Sequence, residues 1–187
     1  MPLHSYFVLT EFTVLLMSFV MLVMRLRNYG SDMMGTPTIE RLYFYSGKIA
    51  IFSTWGLFMV KAIYPSVGYV YLPAGFSWVA VGLLTMGVLI MSAAFINLGK
   101  SLTVGLPTQE TTLRTHGVYR FSRNPLYVGV HLIAVGSCLY FPDLLNIAFT
   151  LYGMVIHHRI IKQEEHFLSD RFGTDWLIYS ARVSRYI

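Results

Sequence analysis

Long apolar runs separated by short polar stretches dominate this chain. Five of these runs come close to the roughly 20 residues that an α-helix needs to cross a bilayer. They are Leu3–Met24, Tyr43–Tyr64, Phe76–Leu98, Pro125–Phe141 and Leu144–Ile161. Only Pro142 and Asp143 separate the last two runs, so we expect a tight antiparallel helical hairpin there. The pattern predicts an all-α, polytopic membrane protein with about five transmembrane helices.

The composition agrees with a membrane protein. Of the 187 residues, 55% are hydrophobic and 12% are charged, whereas about a quarter of the residues in soluble domains are charged. We expect one membrane domain over residues 1–187, with three spans in residues 1–98 and a polar loop, the hairpin and an interfacial tail in residues 99–187. The stretch from Met1 to Val23 has no basic start, so we expect it to be retained as a helix rather than cleaved as a signal peptide.

The basic residues are distributed asymmetrically. Twelve of the fourteen lysines and arginines follow the first run, follow the third run, or lie at the end of the fifth run and beyond: Arg25, Arg27, Arg41, Lys100, Arg114, Arg120, Arg123, Arg159, Lys162, Arg171, Arg182 and Arg185. Because lysine and arginine concentrate in cytosolic loops, this predicts an N-terminus outside and a C-terminus in the cytosol. The net charge of +5 then has a topological explanation, and nucleic-acid binding is disfavoured.

Two polar motifs are predicted to meet at the cytosolic face. In the first, HGVYRFSRNPLYVG, Asn124 and Pro125 are typical of an N-cap and a first helical position, so the fourth span begins there with its positive dipole end. The second, KQEEHF, follows the fifth run. From the turn at Pro142, Pro125 lies 17 residues back and Glu164 lies 22 forward. These separations correspond to about 26 and 33 Å of helix, so both motifs reach the same face.

These motifs predict a site for a polar ligand. Adjacent carboxylates near apolar surface are costly unless they are solvated or paired, so Glu164 and Glu165 suit cations such as Arg120, Arg123, an amine or a sulfonium. The loop from Gly99 to Asn124 is the longest in the chain, and such loops tend to be functional or disordered. Each feature alone also has a structural explanation as a cap, a topology determinant or a solvated pair. Their convergence favours a ligand site.

Other polar positions carry less information. Cys138 is the only cysteine and lies in an apolar run, so we expect it to pack rather than react, and we expect no metal site. Glu11 lies inside the first run and is a weaker functional candidate. His131 either lines the same pocket or bonds a neighbouring helix. The tail from Lys162 to Ile187 has the spacing of an interfacial helix interrupted at Gly173, so we expect it to lie against the membrane or to cover the loop.

At these residues the sequence resembles the isoprenylcysteine carboxyl methyltransferase and phospholipid methyltransferase superfamily of integral membrane enzymes, over roughly Asn97 to Tyr186. The matching pieces, in chain order, are Leu98-Gly99, Leu113 to Gly117 with Tyr119, Arg123-Asn124-Pro125-Leu126-Tyr127-Val128-Gly129, Glu164-Glu165, Phe172-Gly173 and Trp176 to Tyr179. There are two departures. Asn124 replaces the family's histidine, so that position can cap the helix but cannot titrate near neutral pH. Ser184 stands where the family often has proline.

The resemblance implies S-adenosylmethionine as the cofactor, held in a pocket at the cytosolic face. The residues implied to bind it are Thr112, Leu113, Arg114, His116, Gly117, Tyr119, Asn124, Pro125, Leu126, Tyr127 and Glu164. It further implies methyl transfer to a lipid-borne acceptor, the carboxylate of an isoprenylcysteine-like substrate that enters from the bilayer as a prenylated small molecule or protein.

The acceptor determines the catalytic residues that we expect. A carboxylate is already ionised near neutral pH and needs an orienting cation, for which Arg123 and Arg159 are the candidates. An amine headgroup, as in a phospholipid amine N-methyltransferase, would need a base, for which Glu165 is the candidate. No metal is needed for either transfer.

Two alternatives of other classes remain. NADPH-dependent membrane reductases of the sterol type resemble the same C-terminal pattern, and Arg114 and Arg120 would suit their extra phosphate. Those reductases usually have more spans before the motif than this chain has. In a non-enzymatic scaffold, the Glu-Glu and Arg-Asn-Pro motifs would be caps at an interface. Stabilisation by S-adenosylhomocysteine, by NADPH or by neither separates the three hypotheses.

Overall fold

The computed structural model describes residues 1–28, 35–68, 70, 72–107 and 111–187. Residues 108–110 of the predicted functional loop lie outside this description, as do the side chains of Arg25 and Lys100. The helices are α1 (Leu3–Asn28), α2 (Arg41–Ile63), α3 (Ala74–Leu98), α4 (Pro125–Tyr140), α5 (Leu144–Phe172) and α6 (Thr174–Arg182). Two short 3₁₀ turns, Gly99–Ser101 and Gly117–Arg120, lie between α3 and α4. The all-α prediction is confirmed for the described residues.

Helices form at all five predicted positions, but five membrane spans are not confirmed. Within the described residues, three segments are long and apolar enough to cross a membrane: Leu3–Met24, Ala74–Leu98 and Leu144–Phe172. Helix α2 is 23 residues long but carries Arg41, Lys48 and Lys61. Helix α4 has 16 residues, fewer than the roughly 20 that a span requires.

The predicted division near Ile161 between a fifth span and a separate tail helix is wrong, because one helix includes both sides of it. Helix α5 continues without a break for 29 residues and ends at Phe172. The continuation is rich in lysine, glutamine and glutamate, which have high helix propensity, and it contains no glycine or proline. Gly173 then adopts φ +49°, a left-handed conformation that ends the helix. The predicted interruption at Gly173 is therefore confirmed, and only Thr174–Arg182 forms a separate tail helix.

The predicted tight turn between α4 and α5 is confirmed, but the two helices diverge after it. Asp143 caps α5 by accepting a 2.9 Å hydrogen bond from the Leu145 amide. Beyond the turn, α4 packs mainly on α3 and α5 packs mainly on α2, while α4 and α5 contact each other much less. A Cβ atom added at Gly129 of α4 would lie 2.7 Å from the Gly87 carbonyl oxygen of α3. This glycine pair therefore permits the close α3–α4 contact, and the divergence leaves a groove between α4 and α5.

The end of α3, the start of α4 and the last turns of α5 lie at the same end of the helix assembly. The segment from Gly99 to Asn124 connects α3 to α4 at this end. There, Gly117 adopts φ +62°, and the Val118 amide donates a 2.8 Å hydrogen bond to Oδ1 of Asn97. A side chain at Gly117 would collide with the Asn97 amide. The loop is thereby fixed against the end of α3.

Candidate active site

A cavity lies where α3 ends, α4 begins and α5 nears its end. It has a volume of about 160 Å³ and is partly open to solvent. The α3–α4 loop and helix α6 form the remaining walls. The lining residues on the helices and at the N-cap of α4 are Leu98, Asn124, Leu126, Tyr127, Glu164, Phe167, Leu168, Trp176 and Tyr179. The cavity therefore combines a few polar groups with a largely apolar wall.

Most of the predicted cofactor-binding residues line this cavity. They are Thr112, Leu113, Arg114, Tyr119, Asn124, Leu126, Tyr127 and Glu164. The other three, His116, Gly117 and Pro125, are not among the described residues that line it. Of the predicted catalytic residues, Arg123 lines the cavity and Glu165 is buried beside it. Arg159 lies in the separate groove between α4 and α5.

Tyr127 and Glu164 place a carboxylate on the cavity wall. Tyr127 lies in the first turn of α4, and its hydroxyl donates a 3.0 Å hydrogen bond to Oε1 of Glu164 on α5. Within the described part of the chain, the second oxygen of Glu164 accepts no hydrogen bond. This oxygen is therefore available to a ligand group that carries an N–H or O–H donor.

Glu165 has a different environment, although it is adjacent to Glu164. Its carboxylate accepts from Nε and Nη2 of Arg123 at 3.1 and 3.3 Å, and from Nε and Nη2 of Arg185 at 2.9 and 2.8 Å. Nδ2 of Asn124 donates to the same group at 2.9 Å. Five donors thus converge on one buried carboxylate. We call Arg123, Asn124, Glu165 and Arg185 the carboxylate clamp.

The carboxylate clamp joins the start of α4 to the C-terminal tail. The Nη1 atom of Arg123 donates to the backbone carbonyls of Ser180 and Val183 at 2.8 and 3.1 Å. Asn124 occupies the predicted N-cap position, but its side chain does not cap the helix. The amide instead donates to Glu165 and, at 3.2 Å, to the Arg185 carbonyl. The predicted capping role of the side chain is therefore wrong, because the buried carboxylate recruits the amide.

Helix α6 closes one side of the cavity. The Tyr179 hydroxyl donates a 2.6 Å hydrogen bond to the Tyr119 carbonyl of the loop. Burial raises the pKa of Tyr179 to about 12, so the hydroxyl keeps its proton at physiological pH. The Arg123 guanidinium lies 5.7 Å from the centre of the Trp176 ring. The tail therefore packs over the loop and the start of α4.

The role of Arg185 in the site was not predicted, and the aromatic wall was predicted only as one of two alternatives. Phe167, Trp176 and Tyr179 line the cavity, and the tail that contains them was expected either to lie against the membrane or to cover the loop. Trp176 and Tyr179 share one face of α6 at positions i and i+3, which was the available signal. Arg185 was counted only as a topology determinant. In the described residues no group of three or more His, Cys, Asp or Glu side chains could hold a metal ion.

Comparison with known proteins finds matches to the part of the chain that forms most of the cavity. The phospholipid methyltransferase family model matches residues 76–175, which are 100 of the 187 residues. A probable protein-S-isoprenylcysteine O-methyltransferase of Oryza sativa subsp. japonica is 32% identical over 111 residues, which cover 57% of this chain and 58% of the rice protein. Protein-S-isoprenylcysteine O-methyltransferase A of Arabidopsis thaliana is 32% identical over 106 residues, 54% of each chain.

The chain spans little more than half the length of these curated relatives. The matched family region begins in α3 and includes the loop, the hairpin and the Glu164-Glu165 pair. It therefore contains most of the cavity and confirms the resemblance in the C-terminal half. One apolar helix of membrane-spanning length precedes the match, and two more lie almost entirely inside it. Because the family model also covers more than half of the residues, the chain belongs to the phospholipid methyltransferase family of integral membrane proteins.

Proposed function

We propose that this protein is an S-adenosylmethionine-dependent methyltransferase whose acceptor is the carboxylate of an isoprenylcysteine-like lipid. The observation that carries the proposal is the cavity at the start of α4, where Glu164 presents a carboxylate inside the matched family region. The names of the curated relatives support the choice of acceptor.

The residues of the cavity fit such a cofactor. Its amino-acid end carries an ammonium group, which suits the available oxygen of Glu164, and a carboxylate, which suits Arg114 and the positive end of α4. The adenine ring suits an apolar slot such as the wall formed by Leu113 and Trp176. When bound, the cofactor supplies a methyl group on a positively charged sulfur, and transfer to an ionised carboxylate releases no proton.

The carboxylate clamp favours a carboxylate acceptor over an amine. An amine must lose a proton before it can attack, and Glu165 was the predicted base. Glu165 is only 7% exposed and is held between two guanidiniums, so it is poorly placed to accept a proton. A carboxylate acceptor needs no base, because it is already ionised near neutral pH.

The clamp also changes the assignment of the orienting cation. Every nitrogen of the Arg123 guanidinium already donates a hydrogen bond, to Glu165 or to a tail carbonyl. Arg123 therefore acts as a positioning residue that joins the tail to α4. Arg159 is exposed and forms no hydrogen bond or ion pair within the described residues, so it is the better candidate to orient the acceptor. The rate then depends mainly on placing the two reactants together in a site shielded from water.

Calorimetry and a methyl-transfer assay test the proposal. Detergent-purified protein is titrated with S-adenosylhomocysteine and, separately, with NADPH. It is then assayed with methyl-labelled S-adenosylmethionine and either N-acetyl-S-farnesylcysteine or phosphatidylethanolamine. We expect binding of S-adenosylhomocysteine and label in the farnesylcysteine ester. Binding of NADPH alone would indicate a reductase, and label only in the phospholipid would indicate an amine acceptor.

A further inference from the structure

A lysine of α2 lies near the cavity without being one of its described lining residues. Lys48 is half-buried, and its ammonium group lies 4.5 Å from the centre of the Phe44 ring, one turn earlier on α2. Phe44 is only 1% exposed and forms a cluster with Ile156 and Ile160 of α5. Tyr127, which lines the cavity, packs against this cluster. The Lys48 ammonium group is thus held beside the residues that support the cavity wall.

Close packing of α2 on α5 brings Lys48 near the second helix. A Cβ atom added at Gly47 would collide with the side chain of Ile156, so only glycine permits the two helices to approach this closely. Lys48 follows Gly47 directly. At this short separation its charge interacts with Glu164 and with His157, both on α5.

The interior around Lys48 is not an ordinary apolar core. His157 is only 4% exposed, and both of its ring nitrogens are buried without a hydrogen-bond partner among the described residues. The Lys48 ammonium group also forms no hydrogen bond or ion pair within this part of the chain. Buried polar groups are nearly always paired, and an unpaired charge away from water is costly. A lysine at this position therefore indicates a use for its charge rather than a contribution to stability.

Glu164 needs an opposite charge nearby. An ionised carboxylate against apolar surface is costly unless a cation or donors compensate it, and no cation forms an ion pair with Glu164 among the described residues. The other titratable or charged side chains around it are Arg114, Tyr119, Arg123, Tyr127 and Glu165. Of these, Arg123 is already matched by Glu165, and Arg114 suits the cofactor carboxylate. Lys48 is the remaining cation whose charge favours the ionised form of Glu164.

We propose that Lys48 is a positioning residue for the cofactor, whose charge on α2 keeps Glu164 ionised until the carboxylate receives the cofactor's ammonium group. This inference rests on the proposed function. Because Lys48 is not among the described residues that line the cavity, it acts through Glu164. It also lies outside residues 76–175, which match the family model. The N-terminal half of the chain thereby takes part in cofactor binding.

The pH dependence of cofactor affinity tests this role. S-adenosylhomocysteine is titrated by calorimetry into Lys48→Met, and Kd is divided by the wild-type Kd at the same pH, so that the titration of the ligand itself cancels. Without the lysine, Glu164 should hold a proton near neutral pH and release it at alkaline pH. The ratio should therefore be at least about tenfold near pH 6.5 and fall below about threefold near pH 8.5. Lys48→Arg keeps the charge and should bind as the wild type does at both pH values.

Two controls separate this effect from a structural one. Arg41→Met removes an exposed cation at the start of the same helix and should leave Kd unchanged at both pH values. Adding Lys48→Met to Glu164→Gln should weaken binding no further, because the lysine then has no carboxylate on which to act. A ratio that is the same at both pH values, or a further loss of affinity in the double variant, would overturn the proposal.

Infrared spectroscopy tests the same coupling without any ligand, because a protonated carboxyl group has a carbonyl band that a carboxylate lacks. We expect this band near neutral pH in Lys48→Met, and we expect it to be absent from Lys48→Arg and from Lys48→Met combined with Glu164→Gln. If Lys48→Met lacks the band while the wild type methylates the farnesyl acceptor, the role of Lys48 is wrong and the proposed function stands. If the band is present but the wild type binds no S-adenosylhomocysteine, the charge coupling stands and the proposed function is wrong.

Discussion

Replacing each of the two adjacent glutamates by glutamine should have opposite effects. Glu165→Gln keeps the shape of the side chain but removes the charge that balances Arg123 and Arg185. The side chains of these arginines are only 13% and 35% exposed. Breaking a buried ion pair by removing one partner costs about 3–5 kcal/mol, and the partial exposure of Arg185 favours the lower end. At about 2–4 °C per kcal/mol for a chain of this size, Tm should fall by about 6–12 °C.

Glu164→Gln should instead impair binding with little loss of stability. The glutamine oxygen can still accept the Tyr127 hydroxyl, so the change in stability should be within about 1 kcal/mol. The negative charge on the cavity wall is lost, however, and with it the attraction for an ammonium group. We expect Kd for S-adenosylhomocysteine to rise at least tenfold, which corresponds to about 1.4 kcal/mol of binding free energy.

Thermal unfolding in detergent and calorimetric titration with S-adenosylhomocysteine measure the two effects separately. Asp170→Asn is the matched control, because Asp170 is an exposed carboxylate on the same helix whose ion-pair partner, His166, is also exposed. This variant should change neither Tm nor Kd. The reasoning is refuted if Glu165→Gln melts as the wild type does, or if Glu164→Gln loses stability and keeps its affinity.

Three further substitutions follow from individual contacts. Tyr127→Phe removes the hydroxyl that orients Glu164, so calorimetry should show S-adenosylhomocysteine affinity reduced about three- to tenfold, by roughly 1 kcal/mol; unchanged affinity would contradict this. Gly129→Leu should overpack the α3–α4 contact and lower the free energy of unfolding, measured by thermal unfolding, by about 1–3 kcal/mol. Gly82→Leu should leave it unchanged, because a side chain at Gly82 meets open space. Tyr179→Phe should lower stability by about 1 kcal/mol through the lost bond to the loop carbonyl and increase proteolysis of the tail; a protease-resistant tail would count against its role.

The sequence predicted the helices better than it predicted their relation to the membrane. Apolar runs and the Pro142-Asp143 turn located each helix, because hydrophobic length and turn chemistry are local signals. The continuity of α5 was missed because the change to polar residues after Ile161 was taken as the boundary between a span and a tail helix, although charged residues with high helix propensity continue a helix into water. The divergence of α4 from α5 depends on Gly129 and Gly87 meeting across two helices. Such pairing cannot be derived from either segment alone.

The outline of the candidate site was predicted from helix lengths counted from the Pro142 turn. These lengths bring the two motifs to the same face, and so they bring Glu164 to the start of α4. The spacing alone did not show which glutamate faces the cavity, because that depends on how α5 is rotated against α4 and the tail; only the family resemblance had singled out Glu164. The contribution of Arg185 depends on the tail folding back over the start of α4, and that long-range contact leaves no local periodicity.

The structure gives the Asn124 side chain a different role from the one that its position in the motif suggested. At this position the family's histidine suggested a titrating group, and its replacement by asparagine raised doubt about proton transfer. In the structure the Asn124 amide uses both hydrogens, one toward Glu165 and one toward the Arg185 carbonyl. A neutral histidine has only one N–H donor, so asparagine serves both acceptors without requiring a proton. Asn124 therefore supplies donors that hold the tail against the start of α4, and the carboxylate acceptor that we propose would leave no proton for this residue to transfer.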